Sequence, residues 1–454
     1  MSHRFLICST ILLLFAGASL GGVVLPMDID VFWCGGEWGS WMDGDNWCDN
    51  ILWICDPPQS PCRPYQWPDN NDILYFYVSI DSNDAGVERV HVTWEGAYGP
   101  TVSEIEFRGD VHLLKWGGPW NELIVVEPNG FLNYGDLRVE IDVRGDIVNT
   151  SGSAIEFSGH LNVFGDLYNE AGAVVNVSRD DIDIEDGAVY NAGQIWLAGN
   201  GGIGEGHLFS NTGIIRLFNG MCNGKAVVNW QDGLIKGSGF VTSNEGLWNL
   251  GTIEAAGGSL LLYVEDGKLM NVGKLISNPG ASLHMTPAED FNNAGMIEVN
   301  RDGAVTADCN LVNEPNGHIS LLGGTLSADR IIQEDDAVLS GFGGITGDVV
   351  INPNGSIQLT GPTSIVGDVE INPNATLEVS DGTTLITGHT TCNNGTIRMV
   401  GGRVIFQGGL TNNNCNIFPE PGLYTNMADY NLDGKVNSKD FAYFANVWLW
   451  QAEL

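Results

Sequence analysis

The sequence predicts an all-β chain whose body is a right-handed parallel β-helix, a solenoid of about 13 coils. Three observations predict it. An apolar anchor recurs at a step of about 20 residues from Ile155 to Ile397. Many anchors have a second apolar residue two positions later, with a polar residue between them. An Asn-Gly unit precedes many anchors, and Gly accounts for 61 of 454 residues, which calls for many turns.

Length and charge bound the alternatives. A chain of 454 residues is too long for one compact core, so it divides or grows along one axis. Lys+Arg at 19 against Asp+Glu at 56 leaves a net charge of -37. That field repels nucleic acid and suits divalent cations. Hydrophobic residues at 43% exclude a disordered acidic tail.

Residues 1–18 read as an export signal. His3 and Arg4 are positive, Phe5 to Phe15 form an apolar run, and Ala16-Gly17-Ala18 offers a cleavage site. The run is too short to span a bilayer as a mature helix. No later stretch is long and apolar enough to anchor the chain. The expectation is a secreted, extracellular protein with no transmembrane segment in its mature form.

Residues 19–100 are rich in Trp and Cys and read as a cap on the first coil. Cys34, Cys48, Cys55 and Cys62 suggest two disulfides, with three pairings open. Their spacing lacks the paired C-x2-C of zinc modules. Trp33, Trp38, Trp41, Trp47, Trp53 and Trp67 serve either as the core of that stapled cap or as a platform for sugar rings. The order FWCGGEWGSWMDGDNWC followed by PYQWPDNNDILYF resembles the opening of autotransporter-like passenger β-helices in exported bacterial proteins. That resemblance implies a solenoid behind the cap. Cys222, Cys309, Cys392 and Cys415 are scattered and read as small buried apolar residues.

Residues 101–418 carry the repeat. Asn191-Ala192-Gly193-Gln194-Ile195, Asn211-Thr212-Gly213-Ile214-Ile215, Asn249-Leu250-Gly251-Thr252-Ile253 and Asn293-Ala294-Gly295-Met296-Ile297 show it, and Asn352-Pro353-Asn354-Gly355 and Asn372-Pro373-Asn374-Ala375 are later forms. The anchors run Ile155, Val175, Ile195, Ile215, Ile235, Ile253, Leu275, Ile297, Ile319, Val338, Ile357, Leu377 and Ile397. Inward partners such as Phe157, Val177, Leu217 and Val379 alternate with outward Glu156, Asn176, Arg216 and Glu378. One coil per repeat, stacked through the backbone, satisfies this pattern. The L-x-x-L-x-L frame of leucine-rich repeats does not recur. Asn and Gly of the unit are expected to supply left-handed turns. Stacking at ~4.8 Å per coil gives a rod of roughly 60 Å. Both ends of such a rod invite edge pairing and need covers. Gly409 to Pro421 reads as a last turn and linker.

Residues 419–454 hold the strongest chemical motif. Asp429, Asn431 and Asp433 fall at positions 1, 3 and 5 of a twelve-residue calcium loop, with Gly434 at the sharp turn. Lys435 offers its carbonyl, Asn437 stands at position 9 and Asp440 closes the loop at 12. Oxygen donors in this order suit Ca2+. Phe441, Phe444, Ala445 and Trp448 follow at i, i+3, i+4 and i+7, one face of a helix. Asp at 12 with Asn at 9, ahead of a DF..FA..WL tail, resembles a dockerin type I repeat. The resemblance implies calcium binding and a cohesin-like protein partner. A full dockerin has two such loops. One is found here, with Ser438 and Lys439 at positions 10 and 11. A single loop can dimerise, dock on the solenoid or act as a retention tag.

Catalytic signals are sparse. Asp180-Asp181 with Gly206-His207 faintly resembles a polygalacturonase-like order, but no R-I-K follows. Asp181 to Glu185 also reads as a strand with Ile inward and acids in water. The reading is therefore an exported, non-catalytic structural or adhesive protein. The alternative is a polysaccharide-degrading enzyme or its accessory. Three or more acids with a Lys or Arg on one solenoid face would favour the alternative.

Overall fold

The computed structural model describes residues 143–419 apart from a few loop positions (158–160, 179–180, 186, 200 and 205), and before them the backbone of ten strands between 29 and 144. Among the described residues every regular element is a β-strand. They form a parallel β-solenoid of about 13 turns.

Each coil has three sides. The first side includes Ala154–Phe157, the second Leu161–Val163 and the third Leu167–Asn169. In the middle of the rod the sides run together across the corners, as in Ile214–Asn229, Leu234–Asn249 and His318–Gln333. Stacking is in register and parallel. On the first side Ile155 pairs with Val175, Val175 with Ile195, and Ile195 with Ile215. These residues are 0–1% exposed. Coil-to-coil backbone bonds satisfy the strands, and the alternation of each strand fills the interior with Ile, Val and Leu. Phe157, Phe209 and Phe291 are the largest wholly buried side chains.

The parallel pairing reaches back towards the N-terminus. Ile29–Trp33 pairs with Phe76–Asp81, which pairs with Thr101–Arg108. Trp38–Ser40 pairs with Val90–Trp94, which pairs with Asp110–Lys115. Residues 1–18, Cys34, Cys55 and Cys62 lie outside the described residues, and Cys48 is described only by its backbone in Trp47–Asp49.

Three expectations are corrected. The first concerns the anchors. Val338 was expected to face inward, but Ile319 pairs with Leu339, and Leu339 is 0% exposed. The repeat here reads Ala337-Val338-Leu339, three apolar residues in a row. Periodicity cannot choose between neighbours in such a run, and a one-residue slip exchanges the faces.

The second concerns the Asn-Gly unit. Its Asn residues are not left-handed turn residues. Asn149, Asn169, Asn191, Asn211, Asn229, Asn249, Asn271, Asn293 and Asn313, with Gln333, point inward and are 0–2% exposed. Each Asn Nδ2 donates to the side-chain oxygen of the next coil at 2.7–2.9 Å. The second Nδ2 hydrogen goes to a backbone carbonyl, such as Val174, Thr252 or Lys274. The Gly two positions later is needed for closeness: a Cβ on Gly213 would lie 2.1 Å from the Gly193 carbonyl oxygen. Left-handed Asn does occur in the later Asn-Pro-Asn form, at Asn354 and Asn374 with φ of 63° and 65°.

The third concerns the scattered cysteines. Cys392 and Cys415 form a disulfide with a Cα separation of 5.6 Å. Distance in sequence hid the pair, because one coil brings residues 23 apart into contact. Cys222 fits the buried apolar expectation, and Cys309 is partly buried against the core.

Candidate functional site

The calcium residues expected from sequence, Asp429, Asn431, Asp433, Lys435, Asn437 and Asp440, lie outside the described residues. Among the described residues no cluster of three or more His, Cys, Asp or Glu side chains is arranged to hold a metal.

The described solenoid offers other surfaces. Asp181–Ile184 is a strand with Ile182 and Ile184 inward and the acids outward. Asp181 stacks on Gly202 of the second side. His207 precedes the third-side strand Leu208–Asn211, and its Nδ1 meets the Lys225 ammonium at 3.0 Å. Asp181 and His207 are thus positioned by different strands and different partners.

The third side has the most distinctive outer row. Reading coil by coil, its outward positions are Val148, Tyr168, Tyr190, Ser210, Val228, Trp248, Met270, Asn292, Val312, Ile332 and Val350. Outward positions of a solvated strand are ordinarily polar. Here nine of these eleven are apolar or aromatic, all but Ser210 and Asn292, although Val350 among them is buried. Tyr168 and Tyr190 stack with ring centroids 4.9 Å apart and planes 9° from parallel. The Tyr168 hydroxyl donates to Asp166 Oδ2 at 2.7 Å, and this bond holds the phenol protonated well above its usual range. Ser210 breaks the row, but the Trp230 indole reaches it from the next coil, with Nε1 donating to Ser210 Oγ at 2.9 Å. Trp230 is 45% and Tyr190 36% exposed. The Trp248 ring lies across Gly246, where a Cβ would meet ring carbons at 2.6 Å.

The row runs into a shallow charged groove of about 370 Å³ lined by Arg330, Asp348, Asp368, Glu370, His389 and Thr391, with Val349, Val350 and Val369. Two of its acids have structural work. Asp348 Oδ1 accepts the Asp368 N–H at 3.0 Å, and Asp368 Oδ1 accepts the His389 N–H at 2.7 Å. Each carboxylate thereby braces the corner of the following coil. Three acids and an arginine do share this face, the arrangement expected to favour the polysaccharide-degrading alternative over the scaffold.

The aromatic row was not legible as such in the sequence, because its members sit about 20 residues apart. Only the register shows that Tyr168 neighbours Tyr190 and that Trp248 neighbours Met270.

Fold and surface together define a parallel β-solenoid with exposed aromatic side chains on more than one side, such as Tyr190 on the third and Trp196 on the first. No family model, no curated protein and no solved structure matches the chain. No helix among the described residues is long and apolar enough to cross a membrane.

Proposed function

We propose that this protein is an exported, non-catalytic adhesive scaffold that lays the third side of its solenoid along polysaccharide. The outward aromatic row is the observation that carries the reading. Tyr168 and Tyr190 on adjacent coils, with Trp248 three coils beyond Tyr190, offer an extended, sequence-tolerant platform for sugar rings, whose C–H groups pack on aromatic surfaces. The body is a right-handed parallel β-helix, in keeping with the handedness of parallel crossover connections. The Trp- and Cys-rich segment caps its start. The C-terminal dockerin-like loop binds Ca2+ through Asp429, Asn431, Asp433, Lys435, Asn437 and Asp440 and holds the scaffold to a cohesin-like partner or a glycan. Export is supported by the N-terminal signal pattern and by the Cys392–Cys415 disulfide, which suits an oxidising compartment.

A second reading, a polysaccharide hydrolase or lyase, is favoured by one observation: Asp348, Asp368 and Glu370 share a groove with Arg330. Paired carboxylates across a groove are what glycoside hydrolysis requires.

The test is a panel of insoluble plant, algal and microbial polysaccharides. Bound protein, reducing ends and unsaturated products are measured with calcium and with chelator. Sedimentation with a polymer, lost in Tyr190→Ala with Trp248→Ala and without product release, supports the scaffold. Product release that disappears in Asp368→Asn with Glu370→Gln moves the function to the groove. Retention of binding by the aromatic variant sinks the platform.

A further inference from the structure

We propose that the first side of the solenoid carries a second glycan site, where Trp196, Arg216 and Lys236 receive a sugar that bears a carboxylate. The inference shares with the scaffold reading only the class of ligand, and it uses a different face of the rod.

On the outer surface of the first side, Asn176, Trp196, Arg216, Lys236 and Glu254 stack on successive coils. Beside them runs a second outward column, Gln194, Ile214 and Leu234. Trp196 is 40% exposed and the Lys236 side chain 41%, while Arg216, Ile214 and Leu234 are half-buried. The Trp196 indole is tied to its own strand, with Nε1 donating to Gln194 Oε1 at 3.3 Å. The result is a patch of one indole and two aliphatic side chains beside two cations.

Charge points to what this patch receives. The chain has 56 acids against 19 Lys and Arg, and other cations of this side are given carboxylates. Lys236 pairs with Glu254 at 2.8 Å and Lys274 with Glu298 at 2.9 Å. Among the described residues Arg216 is given none. It stands instead in register with Lys236, and like charges directly opposite on neighbouring strands repel. Its Nε is buried with no hydrogen-bond partner, which lowers stability further. An incoming anion relieves both costs. A planar guanidinium takes a carboxylate through parallel bonds, and Lys236 adds a second cation beside it.

The form of the ligand follows from the sheet. Gln194–Ala198 is hydrogen-bonded to Val174–Val177 on one edge and to Ile214–Asn229 on the other, and Ile214–Asn229 is itself covered by Leu234–Asn249. A peptide strand finds no free edge to extend here. A sugar needs none: its C–H groups pack on Trp196, Ile214 and Leu234 while its carboxylate meets Arg216. Trp196 and Lys236 are two coils apart, about 10 Å, which is the span of a short oligosaccharide. The net charge of -37 opposes a dense polyanion. Screening over about 8 Å at physiological salt leaves an isolated carboxylate to feel mainly the nearby cations. The class of ligand is therefore a largely neutral polysaccharide with scattered uronic acids.

The experiment measures binding of the full chain to glucuronoxylan, a neutral xylan with scattered glucuronate, and to the same polymer with its carboxyls reduced to alcohols. The expected result is binding about tenfold tighter to the acidic form, the size of one charge-assisted contact. Arg216→Gln should abolish that preference, leave binding to the reduced polymer unchanged, and melt at or above the wild-type temperature, because it removes an unpaired cation. Trp196→Ala should weaken binding to both forms. Salt at about 0.5 M should erase the preference. No preference in the wild type, or one that survives Arg216→Gln, overturns the site. A melting temperature of Arg216→Gln far below wild type also overturns it, since the guanidinium would then be structural. A glutamate-rich peptide that competes as well as the acidic oligosaccharide overturns the sugar and makes a peptide the ligand. Tyr190→Ala with Trp248→Ala separates the two faces. If that variant binds as wild type while Arg216→Gln loses the preference, the third-side platform fails and this site stands. If that variant loses binding to both forms while Arg216→Gln keeps the preference, the platform stands and this site fails.

Discussion

Asn249 is bonded on both sides: its Nδ2 donates to Asn271 Oδ1 and its Oδ1 accepts from Asn229 Nδ2. Replacing it with Ala leaves the buried Asn271 Oδ1 without its donor, while Asn229 Nδ2 keeps the Gly233 and Thr252 carbonyls. Asn249→Ala is therefore expected to lower stability by about 1–3 kcal/mol in chemical denaturation. Gln333 ends the row. Its Oε1 accepts from Asn313, but its Nε2 is buried with no partner, because the next coil puts Ile351 in register with it. Gln333→Met removes that unpaired nitrogen, while Asn313 keeps the Gly317 and Val338 carbonyls. It should cost about 1 kcal/mol or less, and a larger loss than Asn249→Ala would refute this account of the row. Thiols offer a second check. Burial pushes the Cys222 thiol far up and the Cys309 thiol to about 11. At pH 8 about a thousandth of Cys309 is thiolate, so both thiols should resist a disulfide reagent until denaturant is added. Glu298 gives a pH test. The Lys274 ammonium at 2.9 Å, aided by Asn300, holds its carboxyl below the usual range. The stabilisation is present above the ordinary value of about 4.3 and fades as pH falls through the lower folded value. Glu298→Gln should lose about 1 kcal/mol or less at pH 7 and match wild type near pH 2.

At the scale of the strand and its turn, the spacing between coils decides what is tolerated. Gly341 has φ of +106°, and a Cβ there would stand 1.8 Å from the Leu321 carbonyl oxygen. Gly152 has φ of +85° with nothing within 4 Å of that position. Both are strained for an L side chain, but only Gly341 also collides with backbone. Gly152→Ala should cost about 1 kcal/mol and Gly341→Ala about 3 kcal/mol or more. Melting of the two variants checks the contrast, and equal losses would mean that coil spacing adjusts freely. Element boundaries followed the alternation well where polar residues separate the apolar ones, as in Ser356–Val366 with its regular in-and-out burial. They failed at Ala337-Val338-Leu339, where the alternation is absent and only pairing with Ile319 on the neighbouring coil selects Leu339.

In a solenoid each coil touches chiefly its neighbours, so stability is close to a sum of local terms and the ends are the weak points. The Cys392–Cys415 bridge lies at one such end. A typical disulfide contributes about 2–4 kcal/mol. Cys415→Ser should therefore speed hydrogen exchange in 403–419 while leaving 214–264 unchanged; a uniform change along the rod would contradict nearest-neighbour stability. The sequence by itself determined the parallel solenoid, its repeat and most of its core, because stacked coils impose a fixed step and a strict alternation that a single chain displays. It also displayed the Asp429–Asp440 pattern on which the calcium proposal rests, because those residues are contiguous. The tertiary structure alone decided what depends on coil-to-coil register. That includes the inward Asn row, the Leu339 anchor, the Cys392–Cys415 pair, the outer row through Tyr190 and Trp248, and the groove joining Arg330 to Glu370. The reason is one of distance: these neighbours are about 20 residues apart along the chain and one strand spacing, about 4.8 Å, apart in space.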